Sequence, residues 1–321
     1  MDNKLYYFFT NSFLKPLLLD EITDITYNGK DIYYQTNDNG KLKSDIKITT
    51  QEAFDFIRQI ANMSEKLFCI SSPTLDVSIR NYRINAVHSS IGRNLSEKVV
   101  TFAIRKTSKD INVNEILSHL PHDIINYLKK SLEQEKSIIL CGSTGCGKTE
   151  FQKFLISQLP ANCRVLIIDS IQELSLFECP HLDLTYWQID NSSAYNNLET
   201  AIENSLRFNP DWTIVAESRG KEMNSILNSA LTGHPIITTM HAKSLDLLPE
   251  RIIQMILQNE KANRNAETLK KDVLCAFNIG IHLKSQNING KIIRFIDEIV
   301  EFDSVNSYKK IYTYKEQEND K

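Results

Sequence analysis

Apolar positions recur along this chain in two rhythms, and the rhythm changes between its halves. In the first third, short runs rich in β-branched and aromatic residues are separated by polar turns. Residues 22–27 and 32–34 flank Asn28-Gly29, a pair suited to a tight turn, and predict a β-hairpin. Thr49 followed three residues later by Glu52 has the form of a capping box. It predicts a helix burying Ala53, Phe54, Ile57, Ile60 and Ala61 at helical spacing. Further strands are predicted over 76–79, 83–87 and 98–104.

Residues 107–116 (TSKDINVNEI) are polar, have no clear period and are expected to be a linker. Beyond them, amphipathic helices alternate with short, uniformly apolar strands, the pattern of a parallel sheet covered by helices. The expected fold is therefore α/β. An N-terminal mixed α/β domain spans 1–106, and a second domain with a mainly parallel sheet spans 117–321. The all-polar residues 315–321 read as a frayed tail.

Composition narrows the class without naming the chemistry. The 321 residues are 41% hydrophobic and 24% charged, ordinary for a folded domain pair. A net charge of -3 argues against broad electrostatic binding of nucleic acid, so no stable nucleic-acid partner is expected. Cys69, Cys141, Cys146, Cys163, Cys179 and Cys275 contain no C-x-x-C pair, which fits a reducing cytoplasm better than a disulfide framework. Residues 5–19 are rich in Tyr, Phe and Leu but are broken by Asn11, Ser12, Lys15 and Pro16. They are expected to pack as the first element of the fold rather than to span a bilayer.

The strongest chemical signal follows the buried strand predicted over 137–141. Gly142-Ser143-Thr144-Gly145-Cys146-Gly147-Lys148-Thr149 has the form G-x-x-x-x-G-K-T and leads into a helix burying Phe151, Phe154, Leu155 and Leu159. Strand, glycine loop and helix together form a phosphate cradle. Glycines let backbone N–H groups turn inward, and the helix N-terminus adds partial positive charge. Lys148 is expected to reach the β- and γ-phosphates, and Thr149 to hold Mg²⁺.

Three later apolar runs each end in a group suited to phosphate chemistry. The run 165–168 ends at Asp169, with Glu173 four residues on; 212–216 ends at Glu217 and is followed by Arg219; 236–240 ends at His241. A lone acid after a strand is more often a helix cap or a solvated turn. Three such groups on the carboxyl edge of one parallel sheet, beside a phosphate cradle, form a candidate site. Glu217 is the candidate for activating the attacking water, and His241 for sensing the γ-phosphate. Asp169 and Glu173 stay open as alternatives for the acid that assists the metal. Met223, Ile226, Leu227, Ala230 and Leu231 make an apolar helical stripe that Gly233 ends.

With these boxes in order, the chain resembles the secretion-superfamily (traffic) ATPases, which have a RecA-like P-loop domain. The resemblance rests on GSTGCGKT (142–149), IIDSIQEL (167–174), LRFNPDWTIVAESRG (206–220) and TGHPIITTMHAKS (232–244). INGKIIRFIDEIVEF (288–302) is similar to the closing hairpin of those proteins. ITDITYNG (22–29), DVSIRNYRINAV (76–87) and TFAIRK (101–106) extend the likeness more loosely. Within the superfamily, the short N-terminal domain is most similar to the compact ATPases of type IV secretion. The resemblance implies a homo-hexameric motor that uses ATP and Mg²⁺, cytoplasmic and peripheral at the membrane, with inner-membrane machine components as partners. It also implies N-terminal arginines on the phosphates, with Arg83, Arg93 and Arg105 as the candidates. Type II secretion and type IV pilus assembly are alternatives, as is an ATP-gated scaffold with little turnover, permitted by an acidic box that lacks the usual Glu-Asp.

Two cysteine readings complete the picture. Cys146 lies inside the phosphate loop, where an exposed thiol would be open to oxidation. Cys179-Pro180-His181 supplies too few ligands for a metal.

Overall fold

The computed structural model describes residues 2–36, 39–95, 97–107, 111, 113–170, 172–174, 177–189, 197–258, 265–288, 291–303 and 307–314. The predicted tail at 315–321 lies outside the described residues. The chain divides into two compact units, Met1–Lys109 with Asn287–Ile292, and Asp110–Gln286 with Ile293–Lys321.

The first unit contains α1 (Asp2–Thr10), β1 (Ile22–Tyr27), β2 (Ile32–Thr36), β3 (Gly40–Lys43), α2 (Thr50–Met63), β4 (Thr74–Ile79) and β5 (Tyr82–Val87). It ends with the small strands β6 (Arg93–Asn94) and β7 (Glu97–Lys98) and with β8 (Thr101–Lys106). Six strands form an antiparallel sheet in the order β3-β2-β1-β8-β5-β4. Alternate residues of that sheet, among them Ile25, Val77, Ile84 and Ile104, join Leu5 and Phe9 of α1 and Phe56, Ile57 and Ile60 of α2 in one core. Residues 5–19 thus supply a packing element, with Phe9, Leu14 and Leu17 buried.

The capping box at the start of α2 is complete. The Glu52 amide donates to Thr49 Oγ1 at 3.1 Å, and the Thr49 amide donates to Glu52 Oε2 at 2.7 Å. Three details differ from the sequence reading, the first being that Phe54 is half-buried while Phe56 is buried in the core. The predicted strand 98–104 is divided between β7 and β8, where Val99 and Val100 are buried outside either strand. Between β1 and β2, Asn28 Oδ1 accepts from the amides of Lys30 and Asp31, so side-chain bonding shapes a wider turn than Asn-Gly alone suggests.

The second unit opens with α3 (Asn114–Ser118), where the sequence predicts linker over 107–116. Val113 and Ile116 are buried there, an apolar pair too short to register as a period. It continues through α4 (His122–Glu133), β9 (Ile138–Gly142), α5 (Lys148–Ser157), β10 (Arg164–Asp169) and β11 (Asp183–Gln188). Next come α6 (Leu198–Phe208), β12 (Trp212–Val215), α7 (Met223–Leu231), β13 (Ile236–Met240), α8 (Leu248–Leu257) and α9 (Ala266–Ala276). The unit closes with β14 (Ile279–Ile288), β15 (Lys291–Asp303) and β16 (Ser307–Thr313).

The sheet order is β11-β10-β12-β13-β9-β14-β15-β16, and every pair from β11 to β14 is parallel. Ile138 and Leu140 face one core with Phe151 and Leu155, while Ile139 and Cys141 face the other with Met223, Ile226 and Ile252. Both faces are covered, which is why these strands read as unbroken apolar runs. Leu231, placed on the buried stripe of α7 by its spacing, is 41% exposed, because it sits in the last turn beyond the covered face.

Candidate nucleotide-binding site

The loop 142–149 leaves the carboxyl end of β9 and enters α5. Its backbone shape depends on glycine at two points. A Cβ on Gly142 would lie 2.3 Å from the Leu283 carbonyl oxygen, and one on Gly147, at φ +94°, would lie 2.9 Å from Ile116 Cδ1. Gly147 caps α5, so the first amides of that helix open onto the loop. Lys148, the first residue of α5, reaches back across it. Its Nζ donates to the carbonyls of Gly142 at 3.0 Å and Ser143 at 2.9 Å, and lies 3.5 Å from His241 Nδ1. Ser143, Thr144 and Gly145 are exposed around that ammonium.

The neighbouring strand ends deliver the other candidates. β13 pairs with β9 through Met240 and Cys141, so His241 emerges beside Gly142, and its Nδ1 lies 3.2 Å from the Gly142 carbonyl oxygen. β12 pairs with β13, and three bonds fix the segment that follows it. The Ser218 amide donates to Thr239 O at 2.8 Å, Thr239 Oγ1 donates to Ala216 O at 2.9 Å, and the Ala216 amide donates to Ile168 O at 3.0 Å. Glu217 is held between these anchors, 7% exposed. Its Oε1 is 3.0 Å from His241 Nε2, and its Oε2 accepts from Arg219 at 2.7 Å. Nδ1 faces the Gly142 carbonyl oxygen on one side and the Lys148 ammonium on the other, while Nε2 faces the Glu217 carboxylate.

The two acids of the β10 loop take different places. Asp169 Oδ1 accepts from the Gln172 amide and Oδ2 from the Leu174 amide, both at 2.8 Å. Those bonds fold the loop so that Glu173, between the two donors, accepts from the Thr149 hydroxyl. The geometry thus places Glu173 on the expected metal-binding hydroxyl and Asp169 beneath it as the loop's anchor.

Arg83 and Arg105 lie on the sheet of the first unit, where Arg83 pairs with Asp76 at 2.7 Å and Arg105 with Asp24 at 3.0 Å. Arg93, on the β6–β7 hairpin, donates to the carbonyls of Ser89 at 2.9 Å and Gly92 at 3.2 Å.

Burial removes the basis for a redox role of Cys146: the residue is fully buried, and burial pushes its thiol above the usual cysteine range despite Lys148 nearby. Cys141 is buried and pushed up for the same reason. Cys179 Sγ lies 3.4 Å from His181 Nδ1, and no group of three or more metal-ligating side chains occurs among the described residues. Sequence reasoning missed Arg294 of β15, whose Nε donates to the Gly145 carbonyl at 2.9 Å. That contact joins segments far apart in the chain, and no local pattern signals it.

Residues 71–277 match the family described as type II/IV secretion system protein, more than half of the chain. The chain belongs to this family. It is 32% identical over 171 residues to the type IV secretion system protein VirB11 of Brucella suis, covering 50% of this chain and 47% of that protein. The chain therefore spans about half the length of this curated relative. An uncharacterized Bacillus anthracis protein is 28% identical over 309 residues, 92% of this chain and 68% of its own. The Legionella pneumophila ATPase DotB superposes with a TM-score of 0.67 at 21% identity, covering 93% of this chain and 82% of that one. This likeness shows the fold, and the fold class read from the sequence is the one observed. Among the described residues, no helix is long and apolar enough to cross a membrane.

Proposed function

We propose that this protein hydrolyses ATP with Mg²⁺ and works as a homo-hexameric motor for a type IV secretion or conjugation apparatus. The observation that carries the hydrolytic reading is the placement of His241. Its two ring nitrogens lie 3.2 Å from the Gly142 carbonyl oxygen and 3.0 Å from Glu217 Oε1. The glycine cradle and the candidate base are therefore one imidazole apart.

The residues present fit both groups. A Cβ on Gly145 would meet nothing within 4 Å, so the loop is open at its tip, and Thr149 and Glu173 supply the hard oxygens that Mg²⁺ prefers. Bound there, Mg²⁺ neutralises charge on the transferring phosphoryl group of ATP. Lys148 and the α5 amides hold the phosphates. Glu217, whose Oε2 is held by Arg219 while Oε1 stays buried beside His241 without a hydrogen-bond partner among the described residues, orients water and accepts its proton. Arg83, Arg93 and Arg105 are the proposed additional phosphate contacts. Arg83 and Arg105 each hold an acid, whereas the partners of Arg93 among the described residues are backbone carbonyls. Arg93→Ala is expected to lower phosphate release more than Arg83→Ala or Arg105→Ala.

Phosphate release by the purified protein tests the reading directly. Lys148→Ala is expected to abolish nucleotide binding and turnover. Glu217→Gln is expected to keep binding while kcat falls by about 100-fold or more. Full turnover by Glu217→Gln would remove the assignment of the base. A hexamer in sedimentation with ATP supports the ring, and a monomer under all nucleotide conditions refutes it. The family name leaves type II secretion as a neighbouring role, and pilus assembly is a further alternative. The Arg219–Glu217 ion pair favours a second reading, an ATP-gated scaffold with slow turnover. ATP binding with negligible phosphate release, with and without phospholipid, would select it. Peripheral attachment to inner-membrane components and a cytoplasmic site belong to the motor proposal and are read from fractionation of cells expressing the protein.

A further inference from the structure

Arg294 lies in the segment 288–302 that resembles the closing hairpin, where the sequence assigns it no role, and it touches the phosphate loop at its tip. Its Nε donates to the Gly145 carbonyl at 2.9 Å, and its Cδ lies 3.5 Å from where a Cβ on Gly147 would stand. The same guanidinium approaches Glu115 of α3, with NH1 3.8 Å from Oε2. Ile116, the next residue of α3, lies beneath Gly147. Two elements remote in sequence, α3 and β15, therefore meet on the loop's outer side.

Of the glycines in the loop, Gly145 is the one with open space around its Cβ position. Its φ is +78°, and no atom lies within 4 Å of its Cβ position. Glycine there carries the largest backbone entropy to lose when the loop closes on a ligand. A peptide unit is planar and trans, so the carbonyl of Gly145 and the amide N–H of Cys146 point in opposite directions. Holding that carbonyl toward Arg294 aims the Cys146 N–H to the opposite side of the loop. The Arg294 donor is charged, and a charge-assisted bond fixes the peptide plane more firmly than a neutral one.

We propose that Arg294 is a positioning residue for nucleotide binding, setting the Gly145–Cys146 peptide plane before phosphate arrives. The proposal rests on the reading of this loop as a nucleotide site. A pre-set loop binds the phosphates of ground state and transition state alike, so the effect appears in affinity and not in the chemical step.

The test compares the full chain with its Arg294→Met and Arg294→Lys variants. Calorimetric titration with Mg²⁺ and a non-hydrolysable ATP analogue gives affinity, and phosphate release gives kcat and KM. Arg294→Met is expected to raise Kd and KM about tenfold with kcat within about twofold, and Arg294→Lys, which keeps a cationic donor, to recover most of the loss. A Met variant with Kd within about twofold of the parent overturns the proposal, as does a fall in kcat at unchanged Kd. Failure of lysine to recover any affinity assigns the effect to packing and overturns it too. If Arg294→Met does not fold, Arg294→Leu removes the same donor under the same criteria. Absence of nucleotide binding by the unmodified chain is a separate result, which sinks the site reading itself.

Discussion

Thr149 and Glu173 are joined by a hydroxyl-to-carboxylate hydrogen bond that links the first turn of α5 to the loop after β10. The bond depends on Asp169, which accepts from the amides on either side of Glu173 and so turns that glutamate toward the phosphate loop. One acid shapes the loop and the other accepts the Thr149 hydroxyl.

That division gives different expectations for the two acids. Glu173→Gln should raise the Mg²⁺ concentration needed for half-maximal ATPase activity about tenfold. Asp169→Asn should loosen the loop and lower thermal stability, with a smaller change in Mg²⁺ requirement. A Mg²⁺ titration of both variants checks this, and the reverse ranking would exchange their roles.

His241 spans the short gap between the Gly142 carbonyl and Glu217, so its removal should disturb the direction of the carboxylate more than the hold on phosphate. His241→Ala is expected to lower kcat about 100-fold while nucleotide Kd stays within about threefold. Equal losses in both quantities would make the histidine a binding residue.

Burial orders the thiols by reactivity. Cys275 is exposed, and Cys69 is partly exposed with its thiol lowered by the Ser71 hydroxyl and nearby amides. Both should label with iodoacetamide at neutral pH long before Cys141 and Cys146, which are buried with raised thiols. Peptide mapping by mass spectrometry reads the order. Early labelling of Cys146 would restore a redox role for the loop.

The capping box of α2 can be tested within the first unit. Thr49→Ala removes the oxygen that accepts the Glu52 amide and should cost about 1 kcal/mol of local stability. Hydrogen exchange at the first-turn amides of α2 should quicken about fivefold for that loss, and unchanged protection would show that tertiary packing alone holds the helix.

The features legible in the sequence are those whose cause is local. Gly142 and Gly147 announce a backbone that only glycine adopts, and Thr49 with Glu52 announces a cap within one turn. The apolar runs leading to Asp169, Glu217 and His241 announce strands buried on both faces. β11 was not legible, because at the sheet's edge none of its residues is buried and no uniform apolar run marks it. Leu231 misled for a related reason, since helical period marks a stripe but not where the covering layer ends.

By itself, then, the amino-acid order determined the α/β class, the phosphate loop and the set of polar groups that follow the strands, because each depends on contacts spanning a few residues. Only tertiary structure decided that Glu173 rather than Asp169 lies on Thr149, that His241 joins the cradle to Glu217, and that Arg294 reaches Gly145. Those outcomes depend on how strands from distant parts of the chain align in one sheet. Strand register is set by the packing of whole faces against their helices, and no local stretch encodes it.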